Sequence, residues 1–255
     1  MNARLSLLLV LILLLAGAAF LWLRPEPAPE PAAPTQSPRS TASDRFFILA
    51  VNWQPAFCEG AAGRPECRSQ TKSRFDANHF SLHGLWPGGE YCGVSPAIER
   101  LDRDSRWSEL PAVKLPTDLR DELDEVMPGT RSHLDRHEWT KHGTCFGSDS
   151  TAYYKTSTAL LAELNASRVR DLFADNIGKR LTQAQIRAAF DASFGRDAGQ
   201  RVRIACEDDG SRRIISEITI GLWGTEADTL PQLINAARPT SGGCAGGIVD
   251  PVGLQ

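Results

Sequence analysis

An excess of basic residues is the first thing this chain lacks. Its 28 Lys and Arg stand against 31 Asp and Glu, for a formal charge of -3 at pH 7. Three of the cations (Arg4, Arg24, Arg39) lie in the first 43 residues beside two acids (Glu26, Glu30), so the rest of the chain is the more acidic part. Such a surface has no global attraction for a polyanion. Any nucleic-acid binding must rest on a local cleft, aromatic stacking or protonated histidine. No Cys-x-x-Cys occurs, which argues against a zinc site among the six cysteines. No internal repeat is visible.

Long apolar runs are confined to residues 5–23, LSLLLVLILLLAGAAFLWL, behind Arg4. The run reads as a targeting segment, and the Pro-, Ala-, Ser- and Thr-rich residues 24–43 read as a linker. Ala16-Gly17-Ala18 resembles a cleavage site, whereas Phe20-Leu21-Trp22-Leu23 extends the run to nearly membrane-spanning length. A cleaved signal peptide and an N-terminal membrane anchor therefore both stay open, and both export the domain to the periplasm or outside. No cysteine follows the run to suggest a lipoprotein. Six cysteines in an exported chain should pair, and local order favours Cys58 with Cys67, Cys92 with Cys145, and Cys206 with Cys244.

Residues 44–255 have the length of one sizeable domain. Phe46 to Trp53 and Asn78 to Leu85 read as strands. After the breaker region Pro111 to Pro116, Thr117 is expected to cap a short helix ending near Met127. A further helix should start at Arg131 or Ser132. Helical spacing continues over 149–164, 168–176 and 182–194, the last capped by Thr182 and stopped by Gly195. Arg201 to Cys206 and Ile214 to Trp223 close the chain as strands. In the second, Ile214, Ser216, Ile218 and Ile220 are expected to face away from Ile215, Glu217 and Thr219. This order predicts an α+β domain, with a mostly antiparallel central sheet and several helices packed against it.

Two segments carry the chemistry: His83-Gly84-Leu85-Trp86-Pro87, and His137-Glu138-Trp139-Thr140-Lys141-His142-Gly143-Thr144-Cys145. On a helix turning roughly 100° per residue, His137, Glu138, Lys141 and His142 fall within a sector of about 140°, so all four can face one cleft. His83 belongs to another element, and a strand end facing that helix would suit it. Three histidines, a carboxylate and a lysine form a set able to move protons around a phosphate without a metal.

The pair HGLWP and HEWTKHGTC resembles the two active-site segments of the ribonuclease T-two family, acid, base-nonspecific endoribonucleases. The resemblance implies cleavage of single-stranded RNA through a 2′,3′-cyclic phosphate that is then hydrolysed to a 3′-phosphate. It assigns His142 as base, His83 as acid, His137 as a phosphate-binding residue, and Glu138 with Lys141 as stabilisers of the charged intermediate. By sequence alone the His83 and His142 roles could be exchanged. The resemblance also supports the Cys92–Cys145 disulfide and implies no cofactor, no metal and no partner besides RNA; a monomer is expected. Activity should peak near or below the ordinary histidine pKa of about 6.5.

Blander readings accompany each residue. Glu138 could be an exposed helix residue paired with Lys141 or His142, and Lys141 could merely cover apolar surface. Trp86 could pack in the core or wall a substrate-binding base pocket, as the resemblance implies. Where family members often carry an acidic or amide residue, this chain has Gly88 and Gly89, so base preference is not carried over. His79 and His133 are read as structural. Asn165-Ala166-Ser167 forms a glycosylation sequon. A metallohydrolase is disfavoured because His142 lies five residues after His137, one step off the zinc-ligating spacing. Two rivals remain: a catalytically silent RNA- or partner-binding protein on the same scaffold, and an inhibitor-bound toxin secreted against neighbouring cells, which shares the same chemistry.

Overall fold

The computed structural model describes residues 45–255. The expected leader and linker lie outside them. Among the described residues no helix is long and apolar enough to cross a membrane.

The sheet is built on β5 (Arg212–Gly224), whose isoleucine-rich sequence suits a buried central strand. One edge of β5 pairs antiparallel with β4 (Val202–Asp209). The other pairs antiparallel with β1 (Arg45–Asn52) from Glu217 onward. Beyond the end of β1, the short β6 (Gly246–Ile248) joins β5 in parallel at Ile214 and carries β3 (Arg180–Thr182). β2 (Ser81–Pro87) pairs antiparallel with the outer edge of β1. The sheet is thus mostly antiparallel, with helices against it.

Two β-bulges shape the sheet. Ala50 pairs with Gly84 but Val51 with Leu82, so His83 is the extra residue on β2. Ala205 pairs with Glu217 but Cys206 with Ile215, so Ser216 is the extra residue on β5. The second bulge interrupts the side-chain alternation at Ser216, and on its far side Ile214 and Ile215, at consecutive ladder positions, are both buried, so both faces of the strand are covered there. From Ser216 to Ile220 the expected alternation holds, with Glu217 and Thr219 on the less buried face.

The helices run in the order α1 (Gln54–Gly60), α2 (Pro65–Arg68), α3 (Pro96–Arg103), α4 (Thr117–Val126), α5 (Leu134–Lys141), α6 (Ser150–Asn165), α7 (Arg168–Ala174), α8 (Gln183–Phe194) and α9 (Leu230–Ala236). α8 begins in a capping box between Thr182 and Gln185. Thr117, however, is the first residue of α4 and not its cap; Pro116 holds that position without a side-chain bond. α5 starts later than its sequence suggests because Pro128–Ser132 form a 3-10 turn. That turn ends on His133, at φ 65° in the left-handed region. The core between helices and sheet includes Trp53, Phe80 and Phe173, in mutual ring contact at 4.8 to 5.6 Å. The buried indole of Trp53 finds its acceptor in the Asp250 carbonyl at 2.8 Å.

Disulfides join Cys58 to Cys67, Cys92 to Cys145 and Cys206 to Cys244. The second ties the loop before α3 to the turn after α5. The Tyr91 amide reinforces that link by donating to the Lys141 carbonyl at 2.8 Å. Asn165, the sequon residue, uses its side chain to bond both backbone groups of Phe80, at 2.9 and 3.0 Å, and is buried.

Candidate active site

His83, Trp86, His137, Glu138 and His142 converge where β2 crosses α5. Glu138 is their hub, a carboxylate only 1% exposed. Its Oε2 accepts from Trp86 Nε1 at 2.9 Å, and its Oε1 lies 3.6 Å from His83 Nε2 and 3.8 Å from His137 Nε2. This proximity requires Gly84. A Cβ there would sit 1.9 Å from Glu138 Oε2. Burial raises the Glu138 pKa, against the opposing pull of His83 and His137.

The bulge takes His83 out of strand pairing and leaves its ring partly exposed over the cleft. His83 Nδ1 meets Glu217 Oε2 of β5 at 2.6 Å. Burial alone would weaken its proton. The Glu217 hydrogen bond and the charges of Glu138 and Glu217 outweigh that effect and lift its pKa above the ordinary 6.5.

His142 is treated in the opposite way. It caps the C-terminus of α5, donating its backbone amide to the Glu138 carbonyl at 3.0 Å. Its ring lies 5.4 Å from that of Trp86, tilted by 32°. Nδ1 is buried without a partner, which leaves Nε2 as the ring nitrogen open to the cleft. Burial, then the positive neighbours Lys141, His137 and His83, push its pKa down to about 3.

His137 is held by α3. Its Nδ1 meets Asp102 Oδ1 at 2.8 Å, and the other Asp102 oxygen accepts from the Tyr91 hydroxyl at 2.9 Å. Trp107 stacks on the imidazole at 4.5 Å and 20°. Lys141 Nζ lies 3.4 Å from Glu90 Oε1, and its positive charge lowers the proton affinity of His142.

The blander readings thus fail for Glu138, which is buried, and for Trp86, which is a hydrogen-bond donor inside the cleft and not core packing. They hold for His79, which stacks on Phe75 at 4.5 Å and bonds its carbonyl at 3.1 Å, away from the cleft. Sequence reasoning missed Asp102, Trp107 and Glu217. All three lie outside the two segments and reach the histidines only through the fold. Beside His83 and Glu217 opens a pocket of about 300 Å³, lined also by Asn52, Phe57, Leu82 and Trp107.

The sequence matches the Ribonuclease T2 family over residues 44–236. Ribonuclease I of Escherichia coli (strain K12) is 32% identical over 226 residues, covering 78% of this chain and 82% of its own. Among solved structures, Japanese pear S3-RNase aligns with a TM-score of 0.53 at 17% identity, over 80% of this chain and 98% of that one. Human RNase T2 aligns at 0.50 and 22% identity, over 82% and 98%. At these identities the solved structures speak for the fold. The family match spans most of the chain, so this protein belongs to the Ribonuclease T2 family.

Proposed function

We propose that this RNA endonuclease of the Ribonuclease T2 family cleaves single-stranded RNA with low base specificity, by proton transfer between His142 and His83. The observation that carries the reading is the opposite treatment of two histidines in one cleft. His142 is kept neutral and has Nε2 free to take the 2′-hydroxyl proton. His83 is kept charged between Glu217 and Glu138 and can protonate the departing 5′-oxygen from Nε2. A pair of titratable groups pushed apart in this way suits acid and base roles.

The attacking 2′-oxygen forms its bond to phosphorus as the 5′-oxygen leaves, giving a 2′,3′-cyclic phosphate. His137 and Lys141 supply positive charge to the crowded phosphorane. Glu138 would act from beneath, holding the His83 and His137 rings through Oε1. Water then opens the cyclic phosphate with the two roles exchanged, so the net reaction is hydrolysis to a 3′-phosphate. Asp102 and Glu217 are positioning residues, each fixing an imidazole through Nδ1.

The same reading makes the protein an exported one. Three disulfides suit an oxidising compartment, and the apolar run at residues 5–23 would be the targeting segment. The test is incubation of the full-length chain with RNA in excess chelator, with His142→Ala beside it. Cyclic-phosphate ends that convert to 3′-phosphates, and vanish in the variant, are expected. Ends bearing 5′-phosphate would contradict the mechanism. RNA binding without cleavage by the folded protein would favour the silent-scaffold alternative.

A further inference from the structure

The pocket beside His83 continues into a second depression of about 320 Å³, and the two share Arg64, Trp107 and Ser132 as lining. Their charge differs. Glu66, Glu207 and Glu217 line the first; the second has no Asp or Glu in its lining and adds Arg131 and His133. We propose that this basic groove holds a second phosphate of the RNA strand, one step along the chain from the phosphate being cleaved. The inference rests on the function proposed above.

A nucleic-acid strand alternates uncharged bases with anionic phosphates. Carboxylates in the first pocket can accept from the amino and imino edges of a base but repel a phosphate. The groove beyond them is the reverse. A layered array links it to the cleft, with the Arg64 guanidinium 5.6 Å from the Trp107 ring centre and Trp107 stacked on His137 at 4.5 Å. Among the described residues no carboxylate pairs with Arg64 or Arg131, whereas Arg74 and Arg106 are each tied to one and Arg120 to two. Besides the Trp107 ring, the Arg64 guanidinium has a long contact with Ser132 Oγ, at 3.5 Å. The reversal of the chain at His133, between the 3-10 turn and α5, places Arg131 and His133 on one rim. In a body of net negative charge, such a local strip answers how a polyanion is retained.

The test compares a dinucleoside monophosphate with the same substrate extended by one nucleotide at its 5′ or its 3′ end, using the full-length wild type, Arg131→Ala and Arg131→Lys. Arg131 is exposed and outside the catalytic set. Extension on one side should raise wild-type kcat/KM roughly fivefold to tenfold at low salt, and steepen its salt dependence by about 0.7 in the log–log slope. Arg131→Ala should remove most of that gain and slope while leaving dinucleotide cleavage unchanged; Arg131→Lys should keep most of both. The groove assignment fails if neither extension helps, or if Arg131→Ala weakens both substrates equally, although the proposed chemistry then stands. A wild type that cleaves none of the substrates would sink both readings.

Discussion

The two walls of the cleft hold their histidines by different means. On the sheet wall, a bulge lifts His83 out of register and the neighbouring strand supplies Glu217 to grip it. On the helix wall, His142 terminates α5 with its Nδ1 buried and unpaired, under the field of Lys141, His137 and His83. One ring gains carboxylates and the other is denied them. Two identical side chains thereby acquire different proton affinities, and the difference comes from the fold around the motifs more than from the motifs themselves.

The largest way to break this comparison is to remove either ring. His142→Ala and His83→Ala should each lower kcat by about 10³-fold, the range of a lost general acid or base. A small loss in either variant, measured in the chelated RNA assay, would mean that the two walls do not share the work. Gly84→Ala attacks the point where the walls meet. Its Cβ overlaps Glu138 Oε2, so Glu138 must shift, and we expect a loss of about 1–3 kcal/mol by denaturant titration together with impaired turnover. Glu217→Gln sharpens the comparison more gently. It takes a carboxylate charge from His83, leaving Glu138 to favour and Lys141 to oppose the proton. His83 then loses its proton at lower pH, so activity should fall on the alkaline side by roughly one pH unit of displacement, with the acid side unmoved. The smallest expected effect is that of His79→Ala. It should cost about 1 kcal/mol through the lost contact with Phe75 and leave kcat unchanged in the same assay.

Much of this arrangement could be seen in the sequence. The strand-forming runs around Phe46 and Ile218, and the Thr182 cap with its helix, are local patterns, and local patterns survive folding. The helical spacing pointed to His137, Glu138 and His142 as neighbours, and their side chains do meet around Glu138 and Trp86, whereas Lys141, grouped with them by spacing, is placed against Glu90. The three-residue strands Arg180–Thr182 and Gly246–Ile248 carry no period to read, and the latter contains two glycines. The start of α5 was obscured because a 3-10 turn and a left-handed His133 resemble helix in sequence. Neither bulge is written in the residues it displaces. Glu217 lies 134 positions from His83, and Asp102 lies 35 from His137. No spacing rule connects residues that meet only through strand order and a disulfide-tied loop. Two of the histidine partners were hidden for that reason, while the histidines themselves were plain.

The most direct test is the pH dependence of kcat/KM, which reports the free enzyme's acid and base, measured on a dinucleoside monophosphate in chelator for wild type and Glu217→Gln. In the proposed mechanism, activity requires His142 neutral and His83 protonated. It should therefore be lost as pH falls through about 3 and as pH rises through a value above 6.5, and only the upper limb should move in the variant. A variant that shifts the acid limb and leaves the alkaline one in place would contradict the assignment of His142 as base and His83 as acid.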